Sequence, residues 1–288
     1  MSVTWEADLA LAVDATRRAG DVVMRFFGRD LVVEHKSPGQ PLTEADLAAD
    51  RLLQELLMGA RPEYGWLSEE TVDRPDRLQR RRVWIVDPID GTRSFIAKLP
   101  EFSISVALVE DGAAVVGVVY NPARDELFYA VRGGGASLSL GGAAGVTLRV
   151  SERGIDEHVT MLASRSEIAV GEFDSFRDGW SVAPGGSTAY KLAGVAAGRG
   201  EAFLSRGPKS EWDICAGVLL VSEAGGRTTD VNGAAPQFNR PDPYVHGIVA
   251  ASDKLHDAVL AKIRELPVSA RLHERLVDPL HPGLKEGE

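Results

Sequence analysis

The sequence predicts a mixed fold in two parts, a first of two helices with a largely antiparallel sheet (α+β) and a second of alternating strands and helices (α/β). Three observations carry this. Apolar residues recur at helical spacing near the amino end, the period falls to two from Tyr64 to Val131, and strand-like and helix-like segments take turns after about residue 150. The expected division is 1–150 for an N-terminal α+β domain and 151–288 for a C-terminal α/β domain.

Between residues 5 and 27, Leu9, Ala12, Val13, Ala19, Val22, Val23 and Phe26 mark one face of a helix, which Gly28 stops. A polar loop with Pro38 and Pro41 leads to Thr43, the expected N-cap of a second helix carrying Leu47, Leu52, Leu53, Leu56 and Leu57. Strands are expected at Trp84–Val86, at Phe102–Leu108, at Ala113–Tyr120 and at Leu127–Val131, with Asp111-Gly112 as a hairpin signal between two of them. A further pair, Ala136–Leu140 and Val146–Val150, is joined by the run Gly141–Gly145. The second half offers a strand at Val159–Ser164, a helix from Ser187, a strand at Ala202–Ser205, a helix from Trp212, a strand at Gly247–Ser252 and a helix over Asp253–Leu266. The tail Pro267–Glu288 is expected to be a short helix followed by a loose terminus.

Composition narrows the function. At 288 residues, 44% hydrophobic and 26% charged, the chain is a folded protein with room for a large core. A net charge of -10 argues against a nucleic-acid polymer as partner, because such binding depends on Lys and Arg neutralising phosphates. An anionic substrate would then need local compensation, which divalent cations supply. The single cysteine, Cys215, excludes an intrachain disulfide and a multi-cysteine zinc site. Neither a leader pattern nor an apolar run of the ~18 residues that span a membrane is present, so the expected location is the cytoplasm, with no membrane partner.

The chemistry concentrates in four acidic motifs. In Trp84-Ile-Val-Asp87-Pro-Ile-Asp90-Gly-Thr92 an apolar strand ends in two aspartates around a proline that cannot continue the ladder, so both carboxylates can turn to one point. Hard carboxylate oxygens suit Mg²⁺. The N–H groups of Gly91 and Thr92 would open a helix beside them and favour a phosphate. In Trp66-Leu-Ser-Glu69-Glu70-Thr71 only one of the two neighbouring glutamates can face a site with Asp87. Glu211-Trp212-Asp213 opens a helix, where an Asp is ordinarily a cap or dipole partner but could also close a metal cage. Thr43-Glu-Ala-Asp46 is a variant capping box, in which capping and polarising Thr92 would compete for the oxygens of Asp46. A serine hydrolase is poorly supported, since no Gly-x-Ser-x-Gly occurs and the six histidines are scattered; His158, His246 and His256 read as structural or surface residues. The glycine runs at 133–135 and 194–200 fail the dinucleotide and P-loop spacings.

Together and in this order, the four motifs resemble the inositol monophosphatase superfamily of Mg²⁺-dependent, lithium-sensitive phosphatases, over nearly the whole chain from Leu9 to about Leu266. The resemblance implies a layered αβαβα sandwich of the inositol monophosphatase/fructose-1,6-bisphosphatase type. It implies metal ligands at Glu69, Asp87, Asp90, Asp213 and the carbonyl of Ile89, with most of them in the N-terminal part. Thr92 and Asp46 would activate water, with Glu69 on its other side, and Lys36 would neighbour a third, weaker metal. Two or three Mg²⁺ ions, Mn²⁺ as a substitute, Li⁺ as an inhibitor, a small phosphate ester as substrate and a homodimer follow by the same resemblance.

The substrate is expected from departures within the family pattern. Inositol-selective members carry a Glu just before the Gly upstream of Trp-Asp, whereas here the stretch is Leu204-Ser-Arg206-Gly-Pro-Lys209-Ser-Glu-Trp-Asp213. The Gly-Pro pair, Leu67-Ser-Glu-Glu and Gly186-Ser187-Thr look more like the 3′(2′),5′-bisphosphate nucleotidase branch, with Gly186 and Ser187 on the substrate and Arg206 and Lys209 meeting a second phosphate. The expected reaction is therefore 3′-phosphoadenosine 5′-phosphate to AMP and phosphate. An inositol-1-monophosphatase, or a related sugar or histidinol phosphatase, is the alternative. A catalytically silent phosphate binder is the rival from another class, opposed by intact Asp46, Glu69, Asp87, Asp90, Thr92 and Asp213.

Overall fold

The structure is a computed structural model that describes residues 5–37, 40–177 and 179–266. Helix α1 (Glu6–Met24) is followed by the ribbon β1 (Val33–Ser37) and β2 (Gln40–Thr43), helix α2 (Glu44–Ala60), and strands β3 (Gly65–Ser68) and β4 (Arg82–Asp90). A short helix α3 (Thr92–Ile96) leads into the meander β5 (Ser103–Glu110), β6 (Ala113–Asn121), β7 (Glu126–Val131), β8 (Gly135–Leu140) and β9 (Val146–Thr147). The second half runs β10 (Val159–Ser164), α4 (Arg165–Ile168), β11 (Trp180–Gly185), α5 (Thr188–Ala196), β12 (Ala202–Ser205), β13 (Lys209–Ser210) and α6 (Glu211–Glu223). It closes with β14 (Gly226–Thr229), β15 (Tyr244–Val245), β16 (Ile248–Ser252) and α7 (Asp253–Glu265).

Strands β3 to β9 form one seven-stranded sheet in sequence order, antiparallel except for the parallel pair β3/β4. The second sheet has the order β11-β10-β12-β16-β14, parallel across β11, β10 and β12 and antiparallel at β16. The period of two sorts β4 between two cores. Trp84 and Val86 join α1 and α2, through Ala12, Ala19, Ala49 and Leu53, in one hydrophobic cluster. Val83 and Ile85 face the opposite way, into a cluster with Leu192 and Val195 of α5, Ile214 and Leu220 of α6, and Phe203 and Ala250 of the second sheet. The far face of that sheet, with Met161, Leu204 and Val249, packs on Leu255 and Val259 of α7. Helices α1 and α2, the first sheet, helices α5 and α6, the second sheet and α7 thus form an αβαβα sandwich.

Several expectations need correction. The polar segment before Thr43 is the two-stranded ribbon β1/β2 rather than a loop; its alternation is invisible because neither face carries an apolar set. The strand expected at Trp84–Val86 is longer: β4 runs from Arg82 to Asp90 across a register shift, which accommodates Pro88 as bulges do. The strand expected at Val146–Val150 is shorter, Val146–Thr147: Leu148 N still donates to Ala136 O of β8 at 2.8 Å, but Val150 N turns to Ala224 O. Strands β11 and β14 escaped notice, the first for its Pro184 and Gly185 and the second for its short polar sequence. The helices expected from Ser187 and Trp212 begin at Thr188 and Glu211. Asp111 and Gly112 both take positive φ, 50° and 80°, as a type I′ hairpin requires. The expected tail helix after Leu266 lies outside the described residues.

The middle helical layer is close to the first sheet because of one glycine. A Cβ at Gly117 of β6 would lie 2.8 Å from the carbonyl oxygen of Ala216 in α6. Gly117→Ala is therefore expected to destabilise the fold by roughly 1–3 kcal/mol through forced separation of α6 from the sheet. Urea unfolding of the two proteins measures the loss.

Candidate active site

The carboxyl end of β4 gathers the acidic side chains. The backbone amide of Ile89 donates to Asp87 Oδ1 at 3.0 Å, which turns the aspartate inward, while Asp87 Oδ2 is buried with no hydrogen-bond partner among the described residues. Gly91 then takes φ 95°, and a Cβ there would lie 3.0 Å from both Glu101 O and Ser187 N. Beyond the end of β3, Glu69 N donates to Val86 O at 3.2 Å, which carries Glu69 alongside Asp87. Asp213 arrives from the first turn of α6. One carboxylate oxygen from each of Glu69, Asp87 and Asp213 lies within 4.8 Å of the others.

Such a group repels itself. Burial, then the charges of Glu69, Asp90 and Asp213, push the Asp87 carboxyl well above its ordinary range. Asp213 is raised for the same reasons, burial first and then Asp90 and Glu69. Lys36 Nζ donates to Glu69 Oε1 at 2.7 Å and Glu70 Oε1 at 2.9 Å. Burial opposes its charge, but the two glutamates outweigh it and hold the ammonium above its usual value. Glu70 is pushed up to about 7 by burial and Glu69, and faces Lys36 without joining the triad. Asp87 and Asp213 form no ion pair with Lys or Arg among the described residues. A buried carboxylate with an orphaned oxygen, beside two others and short of positive charge, suits a hard divalent cation.

Asp46 serves two partners with two oxygens. Its Oδ2 accepts from Thr43 N at 2.8 Å and Thr43 Oγ1 at 2.6 Å, which caps α2; its Oδ1 is 3.3 Å from Thr92 Oγ1. The expected competition between cap and polariser is therefore absent. Thr92 Oγ1 also lies 3.0 Å from the carbonyl oxygen of Ile89, so its single proton has two acceptors. Burial raises Asp46 to about 6, against the pull of the Thr43 bonds.

A cavity of about 430 Å³ opens over these groups, lined by Glu69, Asp87, Ile89, Asp90, Gly91, Thr92, Gly186, Ser187 and Asp213. Asp90 stands in the lining but outside the three-carboxylate group, because its Oδ2 accepts from Ser187 Oγ at 2.5 Å and Ala189 N at 2.6 Å. Ser187 holds φ 50°, a conformation rare outside glycine, and also contacts Ser103 Oγ at 2.9 Å. Gly186 N donates to Glu101 Oε2 at 2.9 Å, so this amide is already engaged.

Two expected substrate residues are elsewhere. Arg206 and Lys209 do not line the cavity, and neither is an exposed loop residue. Arg206 Nη1 donates to Glu172 Oε2 at 3.3 Å, and Lys209 Nζ lies 3.9 Å from Glu167 Oε1. Their acidic partners lie 34 and 42 residues upstream in no motif that the sequence displays. Conversely, Arg93, Arg165 and Lys191 line the cavity and were missed. Lys191 Nζ donates to Gly186 O at 3.0 Å and Ser187 O at 2.6 Å, and burial lowers it to about 8. A lone charge in the apolar run Ala189–Ala197 was the signal available.

A five-layered sandwich with a carboxylate cluster on β4, next to the edge strand of the first sheet, is an arrangement suited to cation-assisted hydrolysis of a phosphoric monoester. Comparison with known proteins places it further: the profile of the Inositol monophosphatase family matches residues 5–267, and the chain belongs to that family. It is 37% identical over 275 residues to an inositol-1-monophosphatase of Mesorhizobium japonicum, covering 91% of this chain and 98% of that protein. An inositol-1-monophosphatase of Rhizobium meliloti is 39% identical with the same coverage. Among solved structures, an IMPase of Thermotoga maritima superposes with a TM-score of 0.79 at 31% identity, over 90% of this chain and 97% of that one.

The raised carboxyls set a pH dependence of opposite sign for folding and for cation binding. A carboxyl whose pKa is higher in the folded than in the unfolded state binds more protons when folded, so stability of the metal-free protein falls as pH rises. A cation must displace those protons, so Mg²⁺ affinity rises with pH. From the ordinary carboxyl range of about 4 up to about 6 for Asp46 and about 7 for Glu70, thermal melts in chelator should shift down and then level off, while calorimetric Mg²⁺ affinity increases.

Proposed function

We propose that this chain is a Mg²⁺-dependent phosphatase of inositol 1-phosphate and similar small polyol phosphates. The observation that carries the metal dependence is the convergence of Glu69, Asp87 and Asp213 with Asp87 Oδ2 unpartnered. In this reading those three carboxylates hold the cations, two or three in number, with the Ile89 carbonyl and the remaining oxygen of Asp90 completing the set. Mn²⁺ would substitute and Li⁺ inhibit. When bound, such ions lower the pKa of water and neutralise charge on the phosphoryl oxygens.

The chain's own residues supply the rest. Thr92 Oγ1, donating to Asp46 Oδ1, keeps lone pairs with which to accept a proton from the attacking water, and Asp46 takes the proton that Thr92 passes on. With its pKa near 6, Asp46 is ionised at neutral pH and ready for that role. Glu69 offers a second acceptor for the same water. Ser187 fixes Asp90, and Lys191 pins the carbonyls of Gly186 and Ser187 so that this loop keeps its place beside the phosphate.

The choice of substrate departs from the bisphosphate expected above. That expectation rested on branch-like motifs and gave the second phosphate to Arg206 and Lys209, both of which are engaged by glutamates away from the cavity lining. The relatives of 37% and 39% identity are both inositol-1-monophosphatases, which favours the monophosphate. A homodimer belongs to the same proposal and would appear as a doubled mass in sedimentation.

Catalytic efficiency on inositol 1-phosphate should exceed that on 3′-phosphoadenosine 5′-phosphate, histidinol phosphate and fructose 1,6-bisphosphate assayed side by side. A bisphosphate nucleotide as best substrate would overturn the assignment, and no Mg²⁺-dependent phosphate release from any ester, with Mg²⁺ still bound, would favour a silent binder. Asp87→Asn should lower Mg²⁺ affinity by at least about a hundredfold, beyond the 10–100-fold typical of outer-shell partners, and abolish turnover. Near-normal activity at ordinary Mg²⁺ would remove Asp87 from the centre of the site.

A further inference from the structure

At the start of α6, which carries Asp213, the N-cap residue Ser210 makes no side-chain cap bond, although its backbone N–H donates to the Asp213 carboxylate. The helix is instead clamped from outside. Glu211 is fully buried, and its carboxylate accepts from Asn239 N at 2.7 Å and Arg240 N at 3.0 Å, while Glu211 N donates to Pro243 O at 2.9 Å. The clamp therefore depends on the shape of the 239–243 turn, in which Asn239 holds a left-handed φ of 58°.

One side chain holds that turn. Arg77, 1% exposed, donates from Nη1 to Asn239 Oδ1 at 2.8 Å and from Nη2 to Arg240 O at 2.9 Å, and its own carbonyl accepts from Asn239 Nδ2 at 3.3 Å. The other edge of the guanidinium grips Asp73, Nε to Oδ1 at 2.6 Å and Nη2 to Oδ2 at 2.8 Å. Asp73 ends the segment that begins with Glu69 and Glu70 and is tied to α2 where Thr71 Oγ1 donates to Asp50 Oδ2 at 2.7 Å. Gly65 lets β3 come close to the backbone of Arg77: a Cβ there would lie 3.2 Å from the Arg77 Cβ and 3.3 Å from its Cα.

We propose that Arg77 is a positioning residue for the cation site, a brace that ties the Glu69 segment to the Glu211 clamp and so fixes the approach of Glu69 to Asp213. The two carboxylates come from separate elements and repel each other, so the metal-free protein needs a fixed framework to keep them close. A planar fork with donors on two edges fills that role in a way a lysine cannot. This rests on the assignment of Glu69, Asp87 and Asp213 as the cation site.

The test compares the full-length wild type with Arg77→Met, Arg77→Lys and Asn239→Gly, the last keeping the left-handed backbone and the amide to Glu211 while deleting the side-chain bonds to Arg77. Arg61→Ala, which removes the distant ion pair with Asp8, controls for destabilisation alone. Two readouts are taken: calorimetric Mg²⁺ affinity, and hydrogen exchange at the amides of Asn239 and Arg240. Arg77→Met should weaken Mg²⁺ binding about tenfold or more, as loss of an outer-shell partner does, and deprotect both amides. Arg77→Lys should recover part of the affinity, Asn239→Gly should shift it in the same direction as Arg77→Met, and Arg61→Ala should leave it unchanged. Mg²⁺ affinity within about twofold of wild type in folded Arg77→Met or Asn239→Gly would overturn the brace, as would an equal loss in Arg61→Ala; where Arg77→Met fails to fold, Asn239→Gly decides. Wild-type protein that binds no Mg²⁺ would instead refute the cation site itself, so the two failures are distinct.

Discussion

Everything in this molecule depends on keeping three carboxylates together that would separate in water. Glu69 comes from beyond an edge strand, Asp87 from a strand interrupted by a register shift, and Asp213 from a helix in the middle layer. Their convergence in a partly dry pocket costs electrostatic free energy, visible in the raised carboxyls of Asp87 and Asp213. The two hydrophobic clusters that flank the first sheet supply the rigidity that holds them there, and a bound cation would relieve the repulsion.

Much of this was legible in the sequence, for identifiable physical reasons. Strands β4, β5 and β6 were legible because they are buried on both faces and so carry apolar, β-branched residues along their length, and Asp111-Gly112 named the β5/β6 hairpin because only residues tolerant of positive φ fit it. Asp87 stood out beside the proline at which β4 shifts register, and Glu69, Asp213, Asp46 and Thr92 because each sits at or within a turn of an element end, where short motifs constrain direction. Pairings across long sequence distances were not legible. Arg206 with Glu172, Lys209 with Glu167, and Asp90 with Ser187 join residues through tertiary folding alone, and no local pattern announces them. The expected contacts of Arg206 and Lys209 with a second phosphate lost their basis at that point, since a basic residue near a site in sequence was taken as one facing it.

Strand β11 shows the same limit from another side. Pro184 and Gly185 look like a turn, yet the segment is the edge of the second sheet, where a missing N–H matters less. Its end delivers Gly186 and Ser187 to Asp90, so the part of the second half with the least recognisable sequence makes the direct bond to the acidic motif of the first.

The divided carboxylate of Asp46 has a consequence for how the chain can vary. One oxygen closes the first turn of α2 and the other meets the hydroxyl of Thr92, so a single side chain answers to the assembly of a helix and, in the proposed mechanism, to the handling of a proton. Selection for a different working pH cannot retune this group without disturbing the helix start. Selection for a firmer helix start equally reaches the chemistry. A change at position 46 would thus be felt twice, at the start of α2 and at the hydroxyl of Thr92.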